Sequence, residues 1–186
     1  MQKNLQRMPG IVANLVADVV KLMAMQIIPM LPAHWPSVKK IYEEGIATGN
    51  ATFQTTAPEW EEWDAGHVKN SRIVAVQDDH ILGWAALTTV SGRCVYAGVA
   101  EVSVYVAADA RGKGIGKKLL QALIEESEKN NFWTLQAGIF PENENSIKIH
   151  EDGGFRIIGR REKIGQMNGV WRDTLLLERR SRIAGI

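Results

Sequence analysis

Apolar residues recur along the chain with two different periods, and the switches between them mark out alternating strands and helices. Residues 26–31 form a short apolar run closed by Pro32, which predicts a strand and then a turn. Pro36 suits the first turn of a helix, where its missing N–H is not needed. Val38, Ile41, Tyr42 and Ile46 give that helix an apolar stripe, and Gly49-Asn50 ends it. Thr56 reads as the N-cap of a second helix with Pro58 and Glu59 in its first turn and Trp60 and Trp63 on one face. Strands over 72–76 and 81–89 flank a tight turn at Asp78-Asp79-His80. After a loop over 91–98, Glu101-Val102-Ser103-Val104-Tyr105-Val106 alternates with the period of two that marks a strand. A glycine-rich turn then opens the longest helix, whose core-facing stripe is Ile115, Leu119, Leu120, Leu123 and Ile124. A strand over 134–139, a helix over 146–152 stopped by Gly153-Gly154, and strands over 155–164 and 170–178 joined at Asn168-Gly169 complete the series.

The resulting order, β-α-α-β-β-β-α-β-α-β-β, predicts an α/β sandwich with helices packed on both faces of a mixed sheet. At 186 residues the chain suits one domain, placed at 25–180. Residues 1–24 read as an N-terminal extension. Ile11, Leu15, Val16, Val19 and Leu22 recur there at helical spacing, so an amphipathic helix is expected, and a natural start at Met23 or Met25 is the alternative. Lys3 and Arg7 precede an apolar run as in a secretory leader, but Asp18 and Lys21 interrupt it and no convincing cleavage site follows.

Hydrophobic residues at 45% and charged residues at 23% make disorder an unlikely main state. A net charge of +1 provides no broad field for nucleic acid or a membrane surface, and no apolar stretch is long enough to span a bilayer. Arg156, Arg160, Arg161, Lys163 and Arg172 gather late in the chain among Asp152, Glu162 and Asp173, which reads as a solvated, partly paired surface. The one cysteine, Cys94, excludes an intramolecular disulfide and a cysteine-based metal cluster and fits a reducing, cytoplasmic setting. His34, His67 and His80 lie apart without metal-ligand spacing, so no metal is expected.

The most informative stretch is Arg111-Gly112-Lys113-Gly114-Ile115-Gly116, between a strand and a long amphipathic helix. Glycines let the backbone turn and approach a ligand closely, and the N–H groups at a helix start form an anion site suited to a pyrophosphate. Arg111, Lys113, Lys117 and Lys118 add charge at its rim. The P-loop needs Ser or Thr after its Gly-Lys, whereas Lys117 is followed by Lys118. A dinucleotide fold needs the glycines in its first βα unit, and these come after several strands.

Arg111, Gly114 and Gly116 match Arg/Gln-x-x-Gly-x-Gly/Ala, and Asn143-Glu144-Asn145-Ser146 with Ile149-His150 and Gly154-Phe155 follows downstream. On these two motifs, in this order, the chain resembles the GNAT acetyltransferase superfamily over roughly residues 27–178. Tyr42, Thr52-Phe53, Arg93 with Val95-Tyr96, the 101–106 strand, Ile149-His150-Glu151 and Trp171-Arg172-Asp173 are similar to its phosphinothricin and methionine sulfoximine acetyltransferase group. The resemblance implies a mixed, mostly antiparallel sheet with helices on both faces and acetyl-CoA as co-substrate without a metal. It also implies acetyl transfer to the amine of a small amino-acid-like substrate, and a homodimer.

The same resemblance assigns roles. Glu101 is the expected catalytic base, its alternative being an exposed or arginine-paired carboxylate; His150 is expected to donate a proton to the thiolate or to help deprotonate the amine, its alternative being a packed helix histidine. Val104, Tyr105, Val106, Arg111, Gly112, Lys113, Gly114, Ile115, Gly116, Lys117, Asn143 and Ser146 are expected to hold acetyl-CoA, with a backbone N–H at or near Val104 as oxyanion donor. Asn143 and Ser146 serve equally well as helix caps. Arg93 is the candidate for a substrate carboxylate, and Phe53, Trp84 and Tyr96 for the acceptor pocket, where buried aromatics are otherwise core. Acetylation of a protein or peptide amine, and an acyl-CoA-binding domain without turnover, remain the alternative functions.

Overall fold

The structure, a computed structural model, describes residues 25–186, so the N-terminal extension and its expected helix lie outside the described residues. In chain order the elements are β1 (Gln26–Pro29), α1 (Trp35–Ala47), α2 (Trp60–Gly66), β2 (Arg72–Gln77), β3 (His80–Thr89), β4 (Val99–Val106), α3 (Ile115–Lys129), β5 (Thr134–Ile139), α4 (Glu144–Asp152), β6 (Arg156–Met167) and β7 (Val170–Arg180). The seven strands form one sheet in the order β1-β2-β3-β4-β5-β7-β6. All neighbours are antiparallel except β4 and β5.

Adjacent residues of β3 show why helices cover both faces. A Cβ on Gly83 would stand 2.9 Å from the Leu119 side chain of α3, whereas Trp84 turns the other way onto Tyr42 of α1 and Tyr105 of β4. Strand alternation therefore puts α1 and α3 on opposite faces. Gly45 lets α1 approach: a Cβ there would meet the Tyr105 ring at 2.6 Å. Under α3, Leu119, Leu120, Leu123 and Ile124 are fully buried, as their spacing predicts.

The elements match the predicted order, with shifted ends. Helix α2 begins at Trp60 with extended Glu59 as its N-cap, not at Thr56. Pro58 disfavours helical backbone at Ala57, so the chain cannot start coiling there. Helix α4 begins two residues early, because Asn143 Oδ1 accepts from the Ser146 N–H at 3.3 Å and caps it. Asn168 and Gly169 both take positive φ, as a two-residue hairpin with the strands' right-handed twist requires.

Two irregularities of the sheet create the space for a site. Strands β4 and β5 pair only over Val99–Glu101 and Thr134–Gln136, then diverge. Strand β6 slips register against β7 between Arg161 and Gly165, with Lys163 at φ 48°. Asp173 holds that bulge by accepting from the Lys163 N–H at 2.7 Å and pairing with Arg160 at 2.6 Å.

Candidate active site

One cavity of about 500 Å³ lies along the start of α3. Gly112 and Gly114 adopt φ of 75° and 76°, the left-handed region that a Cβ disfavours, and Gly114 is the N-cap. The first main-chain bond of the helix runs from Lys118 N to Gly114 O, so the N–H groups of Ile115, Gly116 and Lys117 precede the intrahelical ladder and border the cavity. No acidic residue occupies this first turn, while Lys117 and Lys118 do. Cations at a helix N-terminus oppose its dipole, an arrangement that becomes favourable once an anion sits there.

The sequence-predicted acetyl-CoA residues gather at this cavity with one exception. Val104, Tyr105, Val106, Arg111, Gly112, Gly114, Ile115, Gly116, Lys117, Asn143 and Ser146 all border it; Lys113 is exposed and does not. Arg111 turns its Nε to the Val106 carbonyl at 3.3 Å, and Lys117 pairs with Asp152 at 3.0 Å. Asn143, besides capping α4, donates from Nδ2 to the Asn50 carbonyl at 3.1 Å, so both ends of its amide are engaged. Tyr105 contributes main chain, since its ring stacks on Trp84 at 4.7 Å and burial pushes its phenol pKa up.

A second cavity, of about 370 Å³, fills the opening between β4 and β5. One wall is Glu101 to Tyr105 and the other Ala137 to Phe140, with Phe53, His150, Arg161, Ile164, Gly165 and Thr174 around the rest. The two cavities share Ala51, Val104, Tyr105 and Ser146, so they meet at the point where β4 leaves β5.

His150 is 3% exposed. Its Nδ1 lies 2.7 Å from the Ser146 carbonyl, which only accepts, so the proton sits on Nδ1. Nε2 is buried with no hydrogen-bond partner. Burial lowers the imidazole pKa below the ordinary histidine value and outweighs the Ser146 bond, which acts the other way. A buried neutral imidazole with a bare lone pair is poised to accept a proton, not to donate one from Nε2.

Glu101 is exposed and has no ion pair among the described residues. Its Oε1 stands 3.3 Å from the place a Cβ on Gly138 would occupy, and Arg161 Nη2 stands 3.1 Å from the same place. Sequence pattern put Arg161 on a solvated surface; paired with Thr174 across the ladder, it borders the cavity, where its Nε donates to the buried Thr174 hydroxyl at 3.3 Å. Arg172, also read as surface, is instead half-buried. It hydrogen-bonds the Gly49 carbonyl and Asn50 Oδ1, pairs with Glu142 at 3.0 Å, and lays its guanidinium 3.8 Å over the Phe140 ring.

Of the four expected acceptor-pocket residues, Phe53 lies in the wall, edge-on to Phe140 at 4.8 Å and flat against Gly165. Trp84 does not: it is 1% exposed and enclosed by Tyr42, Trp63 and Tyr105, because its side of β3 faces the aromatic core beneath α1 and α2. Arg93 and Tyr96 occupy an exposed loop, the guanidinium 5.6 Å from the tyrosine ring, and border neither cavity of this chain. No group of His, Cys, Asp or Glu suited to a metal ion occurs among the described residues.

A family model described as Acetyltransferase (GNAT) family matches residues 35–155. The phosphinothricin N-acetyltransferase of Alcaligenes faecalis is 33% identical over 150 residues, covering 77% of this chain and 76% of that protein. The L-methionine sulfoximine/L-methionine sulfone acetyltransferase of Pseudomonas paraeruginosa is 30% identical over 152 residues, covering 78% of this chain and 88% of that protein. Among solved structures, a GNAT superfamily phosphinothricin acetyltransferase from Sinorhizobium meliloti in complex with AcCoA superposes with a TM-score of 0.79 at 28% identity, covering 88% of this chain and 91% of that one.

Proposed function

From the premise that the chain belongs to the acetyltransferase (GNAT) family and takes acetyl-CoA as co-substrate, we propose that it acetylates the primary amine of a small amino-acid-like acceptor, of the phosphinothricin or methionine sulfoximine type. One observation carries the proposal: the cavity along the start of α3 and the cavity holding Glu101 and His150 meet at Val104, Tyr105 and Ser146. A donor held by its diphosphate in the first cavity would present its acyl end to an amine in the second.

Acetyl-CoA supplies a carbonyl carbon activated as a thioester. Arg111 and the N–H groups of Ile115, Gly116 and Lys117 hold the diphosphate. Glu101 takes the first proton from the ammonium, directly or through a water, and frees the lone pair that attacks. The Val104 N–H, on the edge of β4 that has left β5, donates to the carbonyl oxygen as it gains charge. The carbon–nitrogen bond forms and the carbon–sulfur bond breaks. His150 Nε2 accepts the second amine proton and returns it to the departing thiolate, so one group is base and then acid. Direct attack suits this site, since Cys94 is on an exposed loop and neither Ser103 nor Ser146, the serines of the acceptor cavity, bonds its hydroxyl to Glu101 or His150.

The reading includes a homodimer, supported by the exposed apolar side chains of Val95, Tyr96, Val170 and Trp171, and a cytoplasmic setting, supported by the free thiol of Cys94. It includes no nucleic-acid or membrane partner, and no helix among the described residues is long and apolar enough to cross a bilayer. Sedimentation gives the subunit number. Activity is tested by mixing the protein with acetyl-CoA and a panel of amino acids, methionine sulfoximine, phosphinothricin and peptides, and following thiol release. Release with the amino-acid analogues alone supports the proposal; release with peptides alone overturns it.

A further inference from the structure

Four of the six arginines on the β6–β7 ribbon are matched with carboxylates, and Arg180 is held by main-chain carbonyls. Arg156 pairs with Glu178, Arg160 with Asp173, Arg172 with Glu142 and Arg179 with Glu128. Arg161 makes no ion pair among the described residues, although Glu101 is close by. Its guanidinium is instead oriented by the buried Thr174 hydroxyl, its partner across the ladder, and it borders the cavity that holds Glu101. A cation so positioned, beside a carboxylate that it does not neutralise, leaves room for a group that satisfies both.

Resting on the amine-acetylation reading above, we propose that Arg161 of this chain, not Arg93, binds the carboxylate of the acceptor and sets the preference for an amino acid over the amine that lacks the carboxylate. Arg161 Nη2 and Glu101 Oε1 stand 3.1 and 3.3 Å from one point above Gly138, so charges held by the two must sit close together on the ligand. An ammonium and a carboxylate on one carbon meet that demand: the ammonium faces Glu101 and the carboxylate faces the Nη groups of Arg161. A distal acid several bonds from the amine does not. The remaining walls, Phe53, Ile139 and Phe140, offer the side chain an apolar end. Arg93, on its exposed loop, borders no part of this cavity within the chain.

The test compares an amino acid that the enzyme acetylates with the amine left when its carboxylate is removed, in wild type, R161M, R161K and T174V. Charge-assisted hydrogen bonds of this kind correspond to about ten- to a hundredfold in binding. R161M therefore lowers the ratio of kcat/KM for amino acid over amine by about ten- to a hundredfold, through KM, while calorimetry shows that it still binds acetyl-CoA. R161K recovers part of the ratio, and T174V, which only loosens the guanidinium, lowers it less than R161M. An active wild-type enzyme whose preference for the amino acid survives R161M overturns this inference alone. A wild-type enzyme inert toward every amine overturns the proposed function, and this inference with it.

Discussion

His150 donates its Nδ1 proton to the main-chain carbonyl of Ser146 at 2.7 Å, and that bond leaves the lone pair on Nε2, buried without a hydrogen-bond partner in a residue that borders the cavity shared with Glu101. The imidazole is held neutral by burial, so its protonation lies below the ordinary histidine value of 6.5. His150→Asn keeps an N–H for Ser146 and deletes the lone pair. Turnover is expected to fall about 10²- to 10⁴-fold, the usual range for one acid–base group, with acetyl-CoA affinity retained. Any acidic limb of the wild-type kcat profile that His150 causes lies below pH 6.5 and disappears in the variant. A variant with wild-type kcat returns His150 to a packing role.

Glu101→Gln separates the same two functions on the other wall. The side chain is exposed and makes no ion pair among the described residues, so the exchange removes little folding energy. It removes the acceptor for the ammonium proton. Turnover at neutral pH is expected to fall about 10²- to 10⁴-fold and to recover partly at alkaline pH, where the free amine is more abundant. Stopped-flow or thiol-release assays across the pH range read this directly.

The sequence carried the fold well because its signals are local. Among the described residues, periodicity located the eleven α-helices and strands within a few residues, and Gly112 and Gly114, which take left-handed φ, border the cavity at the start of α3. Its misses were non-local. Trp84 and Phe53 are both aromatic residues outside a helix, yet only register tells that one faces Tyr42 and Tyr105 and the other the cavity. Arg161 looked like its neighbour Arg160; consecutive strand positions point to opposite faces, and only the pairing of Arg161 with Thr174 tells which of the two faces the cavity. Which face of a charged strand meets the site follows from packing across the sheet and leaves no mark in the sequence of that strand.

Gly114 and Gly116 differ in what a methyl group would do. At Gly114 the φ of 76° makes an alanine strained, at about 1–2 kcal/mol. At Gly116 an added Cβ meets Ile149 at 3.4 Å and Val106 at 3.5 Å, which is ordinary contact. Gly114→Ala is therefore expected to lower Tm and weaken acetyl-CoA binding, because relaxing the cap re-aims the first-turn N–H groups. Gly116→Ala is expected to keep wild-type Tm. Equal Tm values for the two would remove the backbone argument for the glycine run.

Two histidines tie stability to pH. His67 stacks on Trp63 at 4.0 Å and bonds its carbonyl, and burial lowers its pKa as it does that of His150. The unfolded chain takes up protons near pH 6.5, whereas the folded chain resists until lower pH. The unfolded state thus binds more protons in that interval, and stability falls as pH drops from about 6.5 through the folded values, with no contribution from these groups above it. Thermal melts between pH 7.5 and 5 should show this decline, and His67→Gln should make it shallower. A Tm that rises on acidification contradicts the assignment.

Gly165 tests whether Phe53 shapes the acceptor end of the site. An added Cβ would stand 2.8 Å from the Phe53 ring, too close for either to remain in place. The ring is the end of a side chain on a loop, so it can move aside, and Gly165→Ala should cost at most the lower part of the roughly 1–3 kcal/mol typical of overpacking. Its displacement changes the wall that Phe53 and Phe140 form together, while the glycine turn at α3 is untouched. The expected result is a raised KM for the amine with acetyl-CoA affinity and kcat near wild type. A raised KM for acetyl-CoA instead would mean that the two cavities do not divide donor from acceptor at Val104 and Ser146.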